Sequence, residues 1–222
     1  MSRPTSSTAR TPPSPPSTRS GCSSLSSGSS ERPPSGQPEV TTVLTLASRS
    51  PQRRAILEQL GVHFRVEVPD VEETDEGKPR DLVLENARRK AEAVEGALVL
   101  GVDTTVALDG RPYGKPRDRA EAAAMVGALS GREHEVWSGI ALRDRGRLAS
   151  AAARTVVRFR TLRAGELDWY LDTGEWRDRA GGYAIQKRGA ALVEAIEGDF
   201  WNVVGLPVAA LVALAPELVS PR

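Results

Sequence analysis

The sequence predicts an α/β fold, a mixed β-sheet flanked by helices. Three observations carry this expectation. Short apolar runs alternate with helical periodicities from residue 43 to about residue 130. Strands joined by tight turns dominate the second half of the chain. The most apolar run, residues 97–108, has the length of a buried strand and falls short of the roughly 18–20 residues of a membrane span.

Val43, Leu44 and Leu46 form the first apolar run. Ser50 caps the next helix, and Pro51 suits its first turn, where a missing N–H costs nothing. Ile56, Leu57 and Leu60 share one face, and Gly61 ends the helix. Backbone N–H groups, the Ser48 and Ser50 hydroxyls, and Arg49, Arg53 and Arg54 thus gather at one helix N-terminus. Donors and helix dipole point the same way there, which favours an anion. A capped helix with solvated arginines is the plainer alternative. Residues 62–68 alternate as a strand. The acids Asp70, Glu72, Glu73, Asp75 and Glu76 then make either a solvated loop or a cation position.

Pro79 opens a helix reaching about Glu95, with Leu82, Val83, Asn86, Ala87, Lys90 and Val94 at helical spacing. Lys90, beside the apolar stripe, either snorkels or holds phosphate. Asp103 interrupts the run 97–108. An acid in a buried strand carries a desolvation cost unless it is paired, metal-bound or catalytic; an Asp capping a bend is the alternative. Gly101 admits a backbone or a ligand at close range.

Asp109-Gly110 marks a hairpin. The next segment, Tyr113-Gly114-Lys115-Pro116, fails the P-loop pattern, because Pro116 replaces the Ser or Thr that would hold magnesium, but it fixes Lys115 in a rigid loop. Asp118 and Glu121 form a capping box for a helix with Ala122, Met125, Val126 and Leu129 inside and Ser130-Gly131 as its stop. Residues 133–142 and 147–160 are strands. In the second, Ala151, Ala153, Thr155, Val157 and Phe159 alternate toward the core. His134, among acids, is expected at the surface. Leu167, Tyr170 and Leu171 mark a helix ending at Gly174. Residues 179–186 are expected as a strand paired with 191–196, and Gln186 is either a solvated turn residue or a reader of a base. Residues 208–215 form an apolar closing helix.

Composition sets the limits. Eight of the 16 prolines and 13 serines precede residue 39, so residues 1–38 cannot bury enough surface to offset their ordering entropy and are expected to be a disordered extension before a domain at 39–222. The extension holds four arginines and one glutamate, a charge of +3; with +1 for the chain, residues 39–222 carry −2. A near-neutral domain argues against a general nucleic-acid or membrane surface. The extension lacks the apolar core of a secretory signal, and its prolines oppose the amphipathic helix of a transit peptide. The single cysteine, Cys22, excludes an intramolecular disulfide. These features fit a cytoplasmic domain.

Six segments, in order, resemble the Maf proteins, a family of nucleoside triphosphate pyrophosphatases: Leu46-Ala-Ser-Arg-Ser-Pro-Gln-Arg-Arg54, Gly101-Val-Asp-Thr104, Gly114-Lys-Pro116, Leu129-Ser-Gly131, Ala180-Gly-Gly-Tyr-Ala-Ile-Gln186 and Asn202-Val-Val-Gly-Leu-Pro207. The resemblance covers about residues 40–216. It implies an elongated α/β fold with a central cleft, related to inosine triphosphatases. It implies hydrolysis of a nucleoside triphosphate to the monophosphate and pyrophosphate, a divalent cation (Mg2+ or Mn2+), a cytoplasmic location and a homodimer. Asp103 matches the general base; Ser48, Arg53, Lys90 and Lys115 match triphosphate contacts; Glu73, with Asp103, matches the metal position. Gln52, Thr104 and Gln186 match the positions that separate a dTTP/UTP branch from a 7-methyl-GTP branch. Thr104 and Gln186 agree with the dTTP/UTP branch, while Gln52 departs from the usual Arg, and Arg179 replaces a common Lys. The rival readings are a 7-methyl-GTP or inosine-triphosphate-type pyrophosphatase and a nucleotide-binding regulator of cell division.

Overall fold

The computed structural model describes residues 43–219. The expected extension, residues 1–38 with Cys22, lies outside them. The described residues build one seven-stranded mixed sheet flanked by helices. β1 (Leu44–Ala47), α1 (Pro51–Gln59) and β2 (Phe64–Glu67) form a parallel unit. α2 (Pro79–Glu92) crosses back to β3 (Leu98–Leu108), which runs parallel to β1 on its other side. β4 (Arg111–Tyr113) returns along β3 as a hairpin. After α3 (Arg119–Leu129) come the long antiparallel strands β5 (Glu133–Asp144) and β6 (Arg147–Phe159), then α4 (Glu166–Asp172). β7 (Val193–Glu197), α5 (Phe200–Val204) and α6 (Val208–Leu214) complete the fold. The order across the sheet is β2-β1-β3-β5-β6-β7, with β4 beside β3.

Two apolar clusters hold the sheet. One joins β1, α1, β3 and α6 through Leu44, Leu46, Ile56, Leu57, Leu100 and Leu211. The other gathers Val126, Leu129, Val157, Phe159, Tyr170 and Tyr183 around the far half of β3 and β5. α2 packs on the sheet through small residues, its Ala87 and Ala91 clustering with Ala141 of β5. Its close approach depends on two glycines. A Cβ at Gly101 would stand 2.1 Å from the Ala87 carbonyl oxygen, and one at Gly139 would stand 2.2 Å from that of Val83. The freedom expected at Gly101 is therefore used by a backbone.

β3 also carries a gap. On one edge β1 pairs with Leu98–Gly101 and β4 with Val106–Leu108, so residues 102–105 have no strand partner there among the described residues. The opposite edge pairs with β5 over Leu98–Ala107. Asp103 lies in this gap.

Three expectations are corrected. Residues 179–186 are no strand: Gly181 (φ 69°) and Gly182 (φ 71°) are left-handed and wind the segment into a 3-10 turn, and β7 pairs with β6 instead. His134 is buried, on the same face of β5 as Val136, where its Nε2 meets the Tyr183 hydroxyl at 2.8 Å. Ala151 and Ala153 are only half-buried, so the inward face of β6 begins at Thr155.

Candidate active site

The site grows from the start of α1. Ser50 caps the helix as expected, its hydroxyl accepting from the Arg53 N–H at 3.5 Å. Ser50 N donates to Ser48 Oγ (3.2 Å) and Arg54 N to Ser50 O. The three arginines do not act together. Arg53 is buried, Arg49 is exposed on the cleft wall, and Arg54 is exposed outside it. Gln52 also lines the cleft and accepts from the Ser50 hydroxyl at 3.2 Å.

Arg53 reaches into the gap in β3. Its Nε donates to Gly205 O (2.9 Å), Nη1 to Ser48 Oγ (2.9 Å) and Val102 O (2.9 Å), and Nη2 to Thr104 Oγ1 (3.1 Å). Four of its five N–H groups are thus committed to described residues, and one on Nη2 is left over. Burial pulls the guanidinium pKa down, and the charges of Asp103 and Glu73 oppose that. Thr104 Oγ1 also hydrogen-bonds Ser138 Oγ at 2.9 Å. Gly205 is brought to Arg53 by α5, whose Asn202 is pinned to Val136 O and Thr155 Oγ1, each at 3.0 Å.

Asp103 is held from the helix above. Asn86 and Lys90, one turn apart on α2, both reach it: Asn86 Nδ2 donates to Oδ2 at 3.1 Å and Lys90 Nζ to Oδ1 at 2.6 Å. Asn86 also exchanges two hydrogen bonds with the Thr74 backbone, at 2.9 and 2.8 Å, which fixes the acidic loop. That loop sends Glu73 to the same ammonium, with Oε1 3.0 Å from Nζ. Burial alone would raise the Glu73 carboxyl, but Lys90, Lys115 and Arg53 together outweigh it and hold its pKa below the ordinary value.

These groups line one cleft of about 1410 Å³. That exceeds the roughly 300–1,000 Å³ of most small-molecule sites, so a nucleotide with its counter-ions has room. Ser48, Gln52, Arg53, Glu73, Lys90, Asp103, Thr104 and Lys115 all line it. Lys115 is exposed on the loop after β4. Gln186 is exposed on the turn after Ile185 and is not among the lining residues. Helical spacing shows Asn86 only as part of the α2 stripe; a polar residue one turn before a lysine on that stripe is the signal for its role.

The donor set suits a hard divalent cation. Glu73 and Asp103, carboxylates from separate elements, meet at the Lys90 ammonium and are the two residues that could hold such an ion. No group of three or more His, Cys, Asp or Glu stands together among the described residues, so phosphate oxygens and water would complete the coordination, as is usual for Mg2+.

The Maf-like protein family matches residues 43–218. A dTTP/UTP pyrophosphatase of Symbiobacterium thermophilum is 47% identical over 184 residues, 80% of this chain and 95% of that protein. Proteins of the same name from Myxococcus xanthus and Thermus thermophilus are each 48% identical, over 78% and 77% of this chain and 91% and 92% of their own length. With the match spanning nearly all the described residues and such relatives covering most of both chains, this chain belongs to the Maf-like protein family.

Proposed function

We propose that the chain hydrolyses dTTP and UTP to the nucleoside monophosphate and pyrophosphate, in the cytoplasm and with a divalent cation. The observation that carries this is the meeting of Asp103 and Glu73 at Lys90 in the cleft, with Arg53 close enough to act electrostatically on both carboxylates. The names of the similar proteins supply the substrate. The assembly implied by the resemblance is a homodimer, which light scattering on the full chain checks.

Pyrophosphate departs when water attacks the α-phosphorus in line. The transition state spreads negative charge over the phosphoryl oxygens, so positioning and fixed positive charge supply most of the catalysis. Asp103 orients the water and takes its proton, since its carboxylate is aimed from a rigid strand. Arg53, which lines the cleft, has its remaining Nη2 N–H to offer a phosphate oxygen. Lys115, exposed on its loop in the same cleft and acting electrostatically on Glu73, supplies a further cation. Lys90 serves Asp103 and Glu73 and adds its charge to the same region. A divalent ion held by Glu73 and Asp103 would neutralise phosphate charge when bound.

The test is pyrophosphate release across dTTP, UTP, CTP, 7-methyl-GTP, ITP and XTP. Preferential turnover of dTTP and UTP is expected. Turnover confined to 7-methyl-GTP, or to ITP and XTP, overturns the base assignment. Binding without release from any of them would make the chain a nucleotide sensor rather than an enzyme.

A further inference from the structure

Arg179 is a cation without an ion-pair partner among the described residues. It lies half-buried in the segment between α4 and the 3-10 turn at Ala180–Gly182, and it lines the cleft. Its Nε is buried and has no hydrogen-bond partner among the described residues. Asp178 and Glu175 act on it electrostatically, yet neither forms an ion pair with it. Buried Arg53 and half-buried Arg143 behave differently: Arg53 is bonded on all three nitrogens, and Arg143 donates to the Ala91 and Val94 carbonyls. A desolvated, unsatisfied guanidinium carries a cost that a bound anion removes.

The backbone ties Arg179 to Lys115. Gly181 N donates to Gly114 O at 3.0 Å, joining the Arg179 segment to the loop that carries Lys115. The two cations therefore stand on one wall, with exposed Asp178 the acid beside them. The neighbouring Arg117 is occupied by Glu121 (3.0 Å), and Arg177 lies over the Trp176 ring (4.7 Å).

We propose that Arg179 and Lys115 form a clamp for the pyrophosphate that leaves, a reading that rests on the proposed function. If Asp103 and Arg53 mark the α-phosphorus, the two terminal phosphates carry most of the substrate charge and need cations not already held in ion pairs. Lys115 and Arg179 feel nearby carboxylates but form no ion pair among the described residues. Arg179 contributes a planar fork suited to two phosphate oxygens, and Lys115 a point charge.

Calorimetric titration of the full chain with pyrophosphate, orthophosphate and UMP tests the clamp. Arg179→Met should weaken pyrophosphate binding by about tenfold or more, the loss of one or two charge-assisted hydrogen bonds, and leave UMP within about twofold. Orthophosphate, with a single phosphoryl group, should change less than pyrophosphate. Arg179→Lys should recover part of the pyrophosphate affinity. If the Met variant does not melt cooperatively, Arg179→Gln replaces it with the same expectation. Unchanged pyrophosphate affinity, or an equal loss for UMP, overturns the clamp. A wild-type chain that binds pyrophosphate through Arg179 yet releases none from any nucleotide would sink the proposed function and leave the clamp standing. A turnover-competent enzyme indifferent to Arg179 would do the reverse.

Discussion

Lys90 Nζ stands 2.6 Å from Asp103 Oδ1, and each side chain is less than a tenth exposed. Removing one partner of such a pair leaves a buried charge alone, at a cost of about 3–5 kcal/mol. The two halves are not equivalent. Lys90→Met leaves buried Asp103 with the neutral Asn86 amide and no ion-pair partner, and should lose about that much. Asp103→Asn leaves Lys90 with Glu73 at 3.0 Å and should lose less than half as much. Urea denaturation of both variants measures the asymmetry; equal losses would mean that Glu73 does not support the ammonium.

Turnover should show the opposite ranking of sensitivity to Asp103. With the carboxylate gone, Asp103→Asn should keep the fold and nucleotide binding and lose at least about 10²-fold in turnover, the usual floor for a general base. Pyrophosphate release from UTP and calorimetric binding separate the two quantities. Full activity in this variant removes Asp103 from the chemistry.

Arg53→Lys should fail as a conservative change. One ammonium cannot span Gly205 O, Val102 O, Ser48 Oγ and Thr104 Oγ1 together. Two or more buried acceptors would be left unpaired, for a loss on the order of 2–4 kcal/mol by denaturation and a fall in turnover. A thermal midpoint equal to wild type would show that the network is slack.

Gly101→Ala should separate α2 from the sheet. Its methyl would stand 2.1 Å from Ala87 O and 2.7 Å from Ala91 N, both backbone atoms. Overpacking of this kind costs at least about 2 kcal/mol. Because Asn86 and Lys90 ride on α2, turnover should fall further than the stability loss explains. Activity measured well below the melting temperature distinguishes the two effects.

His134 should make stability depend on pH. Burial depresses its pKa to about 4, below the ordinary value of 6.5, so the folded state keeps it neutral while the unfolded chain binds a proton. Its contribution is complete above about pH 6.5 and is lost as pH falls toward 4, by on the order of 3 kcal/mol. His134→Gln should flatten that part of the profile. Urea midpoints for both proteins between about pH 7 and pH 4.5 test the difference.

Local chemistry is legible in the sequence and remote chemistry is not. Ser50, Pro51 and Gly61 act within one turn of themselves, so the limits of α1 can be read directly. Asp103 stands out as an acid in a run that has to be buried. Arg53 does not, because its acceptor Gly205 lies 152 residues away. The flanking Glu133 and Glu135 suggest solvent around His134, which is why a surface position is expected for it. Strand alternation, which sets it with Val136 on the inner face, is the stronger signal. The segment 179–186 contains strand-forming Tyr183 and Ile185, but two consecutive glycines with positive φ decide its path.

The gap in β3 has a bearing on how this site can change. A sheet edge without a neighbour normally attracts another strand or water, and here a side chain from α1 takes the place of the missing strand at Val102. A cation that closes a hole in the scaffold is not free to swing with each ligand. Substrates must come to Arg53 in a fixed frame, and new preferences have to be written in residues outside that lattice. Gln52 is such a residue: it faces the cleft, and no described β-strand depends on it for its pairing.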